Sequence, residues 1–297
     1  MSAEAAARVL KSLRMADFRT LLAIELGMGS YEYVAVETIA KFAGIPMAEV
    51  GFHLARLHDM DLIGRWSGAY VGYYLRTTGY DCLALNALVK SDVLQALGKP
   101  LGIGKEADIY DALTPDGERV AVKFHRLGRT SFRHTRRKRE FVGARPHISW
   151  LYQSRLSAEM EYKALKRLHG HGVSVPRPIA HNRHAVVMEL IVGAELVWYK
   201  EDEVADPEGV LREILANVRE AYRAGIIHAD LSEYNVVMMP DGHILLIDWP
   251  QYVSPRHPNA DLLLERDVRN LLKYFRRKFR VKADPEEALA FVKAKTA

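Results

Sequence analysis

The chain has 297 residues, 49% of them hydrophobic and 27% charged, with a formal net charge of +5 and one cysteine, Cys82. That is enough apolar material for a large core in roughly two domains of about 150 residues each, and it excludes an intramolecular disulfide and a cysteine metal cluster. No apolar run approaches the ~18 residues of a membrane span, the first helix is broken by charges unlike a signal peptide, and the histidines lack zinc-ligand spacing, so a cytoplasmic protein with no membrane partner is expected.

Residues 1–85 read as a winged helix. Helices are expected at Ala3–Arg14 and Asp17–Met28. Val36–Ala43 and Met47–Met60 then flank the turn Gly44-Ile45-Pro46 as a helix-turn-helix, with Val50, Leu54 and Leu57 at inward spacing. Leu62–Trp66 and Tyr70–Leu75, joined through Ser67-Gly68-Ala69, form the hairpin wing. The second helix of such a unit usually reads a groove. Residues 1–90, however, carry nine Lys or Arg against nine Asp or Glu, a balance that favours a structured RNA, a protein or scaffolding over base-specific DNA binding. A linker helix is expected over 86–98.

From residue 99 the pattern changes to short strands. Leu101–Tyr110 holds a G-x-G turn in which the backbone of Gly102, Ile103, Gly104, Lys105 and Glu106 can close over phosphates, with Ala107 where a third glycine is usual. Thr114-Pro115-Asp116-Gly117 turns the chain into Val120-Ala121-Val122-Lys123, whose lysine is the candidate grip on the α- and β-phosphates. Between Lys123 and Arg145 nine cations face Glu140 alone, and the lack of periodicity predicts a flexible basic insertion over about 126–149. Ser157–Leu168 reads as a helix whose Glu161 is the acidic partner expected for Lys123, with Glu159 as the alternative. After Pro176 and Pro178, Ala185–Ile191 reads as a buried strand running into a hinge at 189–193, where Met188 and the backbone of Glu189 and Ile191 would hold adenine.

The segment His228-Ala229-Asp230-Leu231-Ser232-Glu233-Tyr234-Asn235 follows a helix and has the form H-x-D-x-x-x-x-N, which pairs a catalytic Asp230 with a metal-binding Asn235. Val236–Met239, the turn Pro240-Asp241-Gly242 and Ile244–Ile247 form a hairpin that delivers Asp248, the second catalytic and metal-binding carboxylate. In the 49 residues after Asp248, the apolar Val268, Leu271, Leu272, Phe275 and Phe279 recur at helical spacing, and Asp267 is expected to brace the catalytic loop. The same tail carries Arg266, Arg269, Lys273, Arg276, Arg277, Lys278, Arg280 and Lys282. With the cluster Arg126–Arg139 of the insertion, it points to a phosphate-rich partner such as RNA.

In this order the motifs resemble the RIO-type atypical serine protein kinases, of the branch with an N-terminal winged helix. The resemblance rests on His228–Asn235, Gly102–Ala107, Lys123, the helix from Ser157 to Leu165, and Asp248-Trp249-Pro250 in place of D-F-G. The expected fold is α+β, an N-terminal winged helix followed by a minimal bilobal protein-kinase-like domain at 99–297, with N-lobe 99–188 and C-lobe 194–297. The resemblance implies use of ATP with Mg²⁺, Mn²⁺ being an alternative, and serine autophosphorylation, for which Ser131 of the basic insertion is the candidate site. It also implies a part in maturing the small ribosomal subunit, with the precursor particle, its RNA and ribosomal proteins as partners. Ser232 stands where serine/threonine kinases carry a lysine, and no A-P-E follows Asp248, so protein kinase and ATPase both stay open. Two other classes share features. A small-molecule phosphotransferase of the aminoglycoside or choline type needs a larger C-terminal subdomain than this chain holds. A nucleotide-sensing DNA regulator is at odds with intact Lys123, Asp230, Asn235 and Asp248.

Overall fold

A computed structural model describes residues 2–127 and 150–294. Most of the expected basic insertion, Ser131 included, lies outside the described residues. The chain divides into two compact units, Met1–Leu156 with His181–Ala185, and Ser157–Ala180 with Val186–Ala297.

The first unit opens with α1 (Ser2–Leu10), α2 (Met15–Gly27), β1 (Val34–Ala35), α3 (Val36–Ala43), α4 (Met47–Asp59), β2 (Ile63–Ser67), β3 (Val71–Leu75) and α5 (Thr77–Lys90). The strands form an antiparallel sheet in the order β1-β3-β2, which together with α3 and α4 makes a winged helix. Gly44 ends α3 at φ +60°, a left-handed backbone that favours glycine, and so sets the turn into α4. Val50, Leu54 and Leu57 are buried as their spacing requires. Two arginines here bond neighbouring main chain. Arg19 donates to the carbonyls of Ala43 and Gly44, and Arg56 donates to Ser12 O at 2.6 Å and lies 3.5 Å from the buried Asp17. The outer face of α4 therefore presents Met47, Glu49, Phe52 and Ala55, and its one arginine is already engaged.

The helix expected over 86–98 stops at Lys90. Asp92 turns the chain at φ +53°, Leu94 is buried, and β4 (Ala96–Ile103) begins. This strand pairs antiparallel with β5 (Ala107–Leu113), which pairs with β6 (Arg119–His125) in a register that sets Ile109 opposite Lys123. Breaks in register at Leu97/Pro100 and Pro100/Gly102 bend β4 before its turn, as bulges do.

A buried polar cluster joins the winged helix to these strands. The Arg126 guanidinium, just past β6, forks onto Asp81 of α5 at 2.6 and 3.0 Å and donates through Nε to Asp108 of β5 at 2.8 Å. His184 Nε2 lies 2.6 Å from the same Asp81 carboxylate, its ring stacks on Tyr80 at 4.4 Å, and its carbonyl receives the His125 N–H at 2.8 Å. Asp81, Asp108, Arg126 and His184 are each at most 1% exposed. Burial opposes ionisation of Asp81, but the Arg126 charge and the His184 bond hold its carboxyl below the usual range. Burial drives His184 the other way, down to about 4, so the ring is neutral at pH 7.

The helix α6 (Trp150–Gly170) starts in the first unit and enters the second at Ser157. It is followed by β7 (Pro178–Asn182), β8 (Ala185–Glu189), β9 (Ala194–Glu195), α7 (Pro207–Arg223), β10 (Val236–Met238), β11 (Ile244–Leu246), α8 (Ala260–Phe279) and α9 (Pro285–Lys293). An antiparallel sheet in the order β11-β10-β9 carries the central hairpin. Val268, Leu271, Leu272, Phe275 and Phe279 of α8 are buried, as their periodicity requires. Helix α9 is absent from the sequence expectations. Asp284 starts it by accepting the N–H groups of Glu286 and Glu287. Among the described residues no helix is long and apolar enough to cross a membrane.

Candidate active site

In the first unit the G-x-G segment is a hairpin tip. Gly104 N–H donates to Ala107 O at 2.8 Å, closing a tight turn over the exposed Lys105 and Glu106. A side chain added at Gly102 would meet nothing within 4 Å, so this glycine leaves open space above the strand. Arg126 N–H reaches back to Glu106 O at 2.6 Å, which anchors the loop's return. Lys123 sits inside β6 at 8% exposure, two residues before the strand ends.

The second unit holds the other candidates. Glu161 lies at 2% exposure within α6, whereas Glu159 makes a surface pair with Lys163 at 2.5 Å, one turn further along the helix. That burial favours Glu161 over its alternative, because a carboxylate is kept out of water only for a purpose that repays desolvation. Met188 is buried and Glu189 is exposed at the end of β8. The backbone N–H of Glu189 is committed to Arg177 O at 2.9 Å. Its carbonyl and the backbone of Ile191 remain as candidates.

The H-x-D-x-x-x-x-N loop and the Asp248 segment are stitched together through main chain. Val236 pairs with Leu246 across the hairpin, and Ile247 N–H donates to Asn235 O at 2.9 Å. His228 Nε2 lies 3.0 Å from Ile247 O, which can only accept, so this nitrogen carries the proton. The His228 ring packs on Trp249 at 4.5 Å, and Trp249 Nε1 donates to Leu246 O at 3.0 Å. Asp248 is thus flanked by two residues that are both tied down. It adopts φ +68°, and Ala229, just before Asp230, adopts φ +65°. Left-handed backbone at residues other than glycine is uphill and persists where the surroundings over-determine it.

Helix α8 supplies that restraint for Ala229. Asp267 accepts Ala229 N–H at 2.7 Å and Leu231 N–H at 3.1 Å, the brace expected from the sequence. Burial raises the Asp267 pKa, opposed by His228, by those two N–H bonds and by the neighbouring Arg266. Asp230 itself projects outward with its side chain 66% exposed. Ser232 Oγ donates to Asn235 Oδ1 at 3.0 Å and orients the amide. Asn235 and Asp248 offer oxygen donors only, the donor chemistry that suits a hard cation such as Mg²⁺.

Two basic residues assigned above to RNA docking are used elsewhere. Arg126 is buried in the cluster with Asp81 and Asp108, and Arg266 bonds the Ala229 carbonyl. Their chemistry was visible in the sequence but their partners, at separations of 45 and 37 residues, were not. Others on α8 are also engaged: Arg269 with Glu265 and Glu286, Arg277 with Glu233, and Lys278 with Val197 O. Lys273, Arg276, Arg280 and Lys282 are exposed.

Comparison with known proteins places these features in a wider set. A family model described as the RIO domain matches residues 108–288, and one described as Rio2, N-terminal, matches residues 10–91. The chain is 40% identical over 263 residues to the RIO-type serine/threonine-protein kinase Rio2 of Methanocaldococcus jannaschii, covering 88% of this chain and 96% of that protein. It is 36% identical over 278 residues to the serine/threonine-protein kinase rio2 of Schizosaccharomyces pombe, covering 93% and 80%. The crystal structure of a Rio2 kinase-ADP/Mg²⁺-phosphoaspartate complex from Chaetomium thermophilum matches with a TM-score of 0.83 at 32% identity, over 95% of this chain and 87% of that one.

Proposed function

Because this chain belongs to the RIO family of atypical serine/threonine protein kinases, with the N-terminal domain of its Rio2 branch, we propose that it uses ATP and Mg²⁺ both to phosphorylate itself on serine and to act in the cytoplasm on precursors of the small ribosomal subunit. The observation that carries this reading is the stitched loop, in which His228 and Asn235 both bond Ile247 while Asp267 braces the backbone on either side of Asp230. Asp230 orients the attacking hydroxyl or water. Asn235 and Asp248 hold the metal, which supplies charge neutralisation of the phosphates when bound; Mn²⁺ fits the same donors. Lys123 grips the phosphates with Glu161 as its acidic partner, the backbone from Gly102 to Glu106 covers them, and Met188, the Glu189 carbonyl and Ile191 receive adenine.

The test is incubation with ATP labelled on the γ-phosphate, following both released phosphate and protein-bound label. The expected result is metal-dependent turnover with a hydroxylamine-stable label on Ser131. A hydroxylamine-labile label would instead place the phosphoryl group on a carboxylate, as in the phosphoaspartate complex of the Chaetomium protein. Absence of transfer to both protein and water would sink the reading.

The partner is precursor RNA, bound through the cations of the Arg126–Arg139 cluster other than the buried Arg126, and through the exposed Lys273, Arg276, Arg280 and Lys282. The outer face of α4, with Glu49, Phe52 and Ala55, favours a protein contact over a DNA groove. RNA affinity should fall steeply with salt, and each lost phosphate contact should lower the logarithmic slope by about 0.7 to 0.9. Alanine at Arg276, Arg280 and Lys282 together is the variant to compare. Identical slopes in variant and wild type would remove these residues from the interface.

A further inference from the structure

The catalytic loop lacks the lysine of ordinary serine/threonine kinases because Ser232 stands two residues after Asp230. A guanidinium reaches the loop from another element. Arg266, in the second turn of α8, donates through Nη2 to the Ala229 carbonyl, and the same nitrogen lies 3.8 Å from Asp230 Oδ1 and 3.6 Å from Asp267 Oδ1. Both polar backbone groups of the left-handed Ala229 are therefore tied to adjacent residues of one helix: the N–H to Asp267 and the C=O to Arg266. Asp267 bonds the loop through main-chain N–H groups. Arg266 holds main chain and also faces the carboxylate that projects from it.

That distinction matters because the Asp230 side chain is 66% exposed. An exposed carboxylate samples several rotamers, and in phosphoryl transfer only the one aimed at the acceptor is productive. A guanidinium fixed by a carbonyl is a planar, permanently charged fork, able to hold one rotamer while keeping its bond to the backbone. We propose that Arg266 is a positioning residue for phosphoryl transfer, which acts through Asp230 by fixing its carboxylate against the Ala229 turn. It also restores a positive charge to a loop that has no lysine. The inference rests on the reading of Asp230 as the catalytic carboxylate, and it takes Arg266 out of the RNA-binding set.

The test uses the full chain with Arg266→Ala and Arg266→Lys, measuring kcat, ATP affinity in the presence of Mg²⁺ and melting temperature on the same preparations. The expected result for Arg266→Ala is a fall in kcat of about ten- to a hundredfold, the range that misplacement of a reacting group produces. ATP affinity and melting temperature stay at wild-type values. Millimolar guanidinium ion then restores part of the lost kcat in Arg266→Ala and none in wild type. Arg266→Lys falls between the two, since an ammonium cannot serve carbonyl and carboxylate as a fork. An unchanged kcat overturns the proposal. So does a loss of kcat that is matched by losses in affinity and melting temperature and is not rescued by guanidinium, because that pattern is general loosening of the fold. Asp230→Asn is run alongside: if it turns over ATP at the wild-type rate, the catalytic reading fails rather than the role of Arg266.

Discussion

Asp230→Asn lowers turnover by about a thousandfold and leaves ATP affinity within about twofold of wild type. The separation follows from where the carboxylate sits. Asp230 points outward from a loop whose backbone is held by Asp267, so its replacement by an isosteric amide removes a charge and an acceptor without releasing the loop. Asp248→Asn and Asn235→Ala behave differently. Asn235→Ala removes an oxygen ligand for a hard cation and Asp248→Asn removes the negative charge of another, so the metal-dependent part of ATP affinity weakens by about ten- to a hundredfold, while affinity measured without metal stays put. Nucleotide titrations with and without Mg²⁺, beside single-turnover rates, separate the two patterns. Wild-type turnover in Asp230→Asn removes it from the mechanism, and a full metal response in Asp248→Asn removes that residue from the metal site.

How much of this was legible in the sequence depends on the range of the forces involved. The helix-turn-helix was readable because Gly44 needs its left-handed turn and because Val50, Leu54 and Leu57 repeat with the period of a helix. The hairpin from Val236 to Leu246 was readable from the turn Pro240-Asp241-Gly242 between apolar runs. The expected helix over 86–98 failed at a single residue, Asp92, whose positive φ stops a run that composition alone does not break. The loop from His228 to Asn235 stood out in the sequence through the spacing of its motif. What positions it was only half legible: Asp267 stood out as an acidic residue in an apolar stripe, whereas Arg266 looked like one cation among several. Arg126 misled for the same reason. A charge run carries no sign of which member is buried, because that is decided by carboxylates distant in sequence.

The buried cluster around Arg126 therefore sets a test of the architecture. Arg126→Met destabilises the protein by about 3 to 5 kcal/mol at pH 7, because it strands the Asp81 and Asp108 carboxylates in a site that excludes water. His184 adds a pH dependence of known sign. Its folded pKa is about 4, below the unfolded value of about 6.5, so the unfolded chain binds a proton that the folded one does not. The contribution is nil at pH 7, grows against folding as pH falls through 6.5 at up to about 1.4 kcal/mol per unit, and levels off near pH 4 after a loss of roughly 3 kcal/mol. Asp81 works in the same direction but lower on the scale. Its depressed pKa gives stability that is present above the unfolded carboxylate value and is lost as pH falls through the folded one. Urea unfolding from pH 7 to pH 4 should show wild type losing stability from pH 6.5 downward. His184→Gln should lose it only from about pH 4.5, where carboxylates take over. An acid limb in His184→Gln that overlays wild type would show that the ring is solvated and able to take its proton in the folded state. Arg126→Met within about 1 kcal/mol of wild type would likewise mean that the two carboxylates reach water. In that case α5 would not be locked to the strands that carry Lys123 and the Gly102–Glu106 loop.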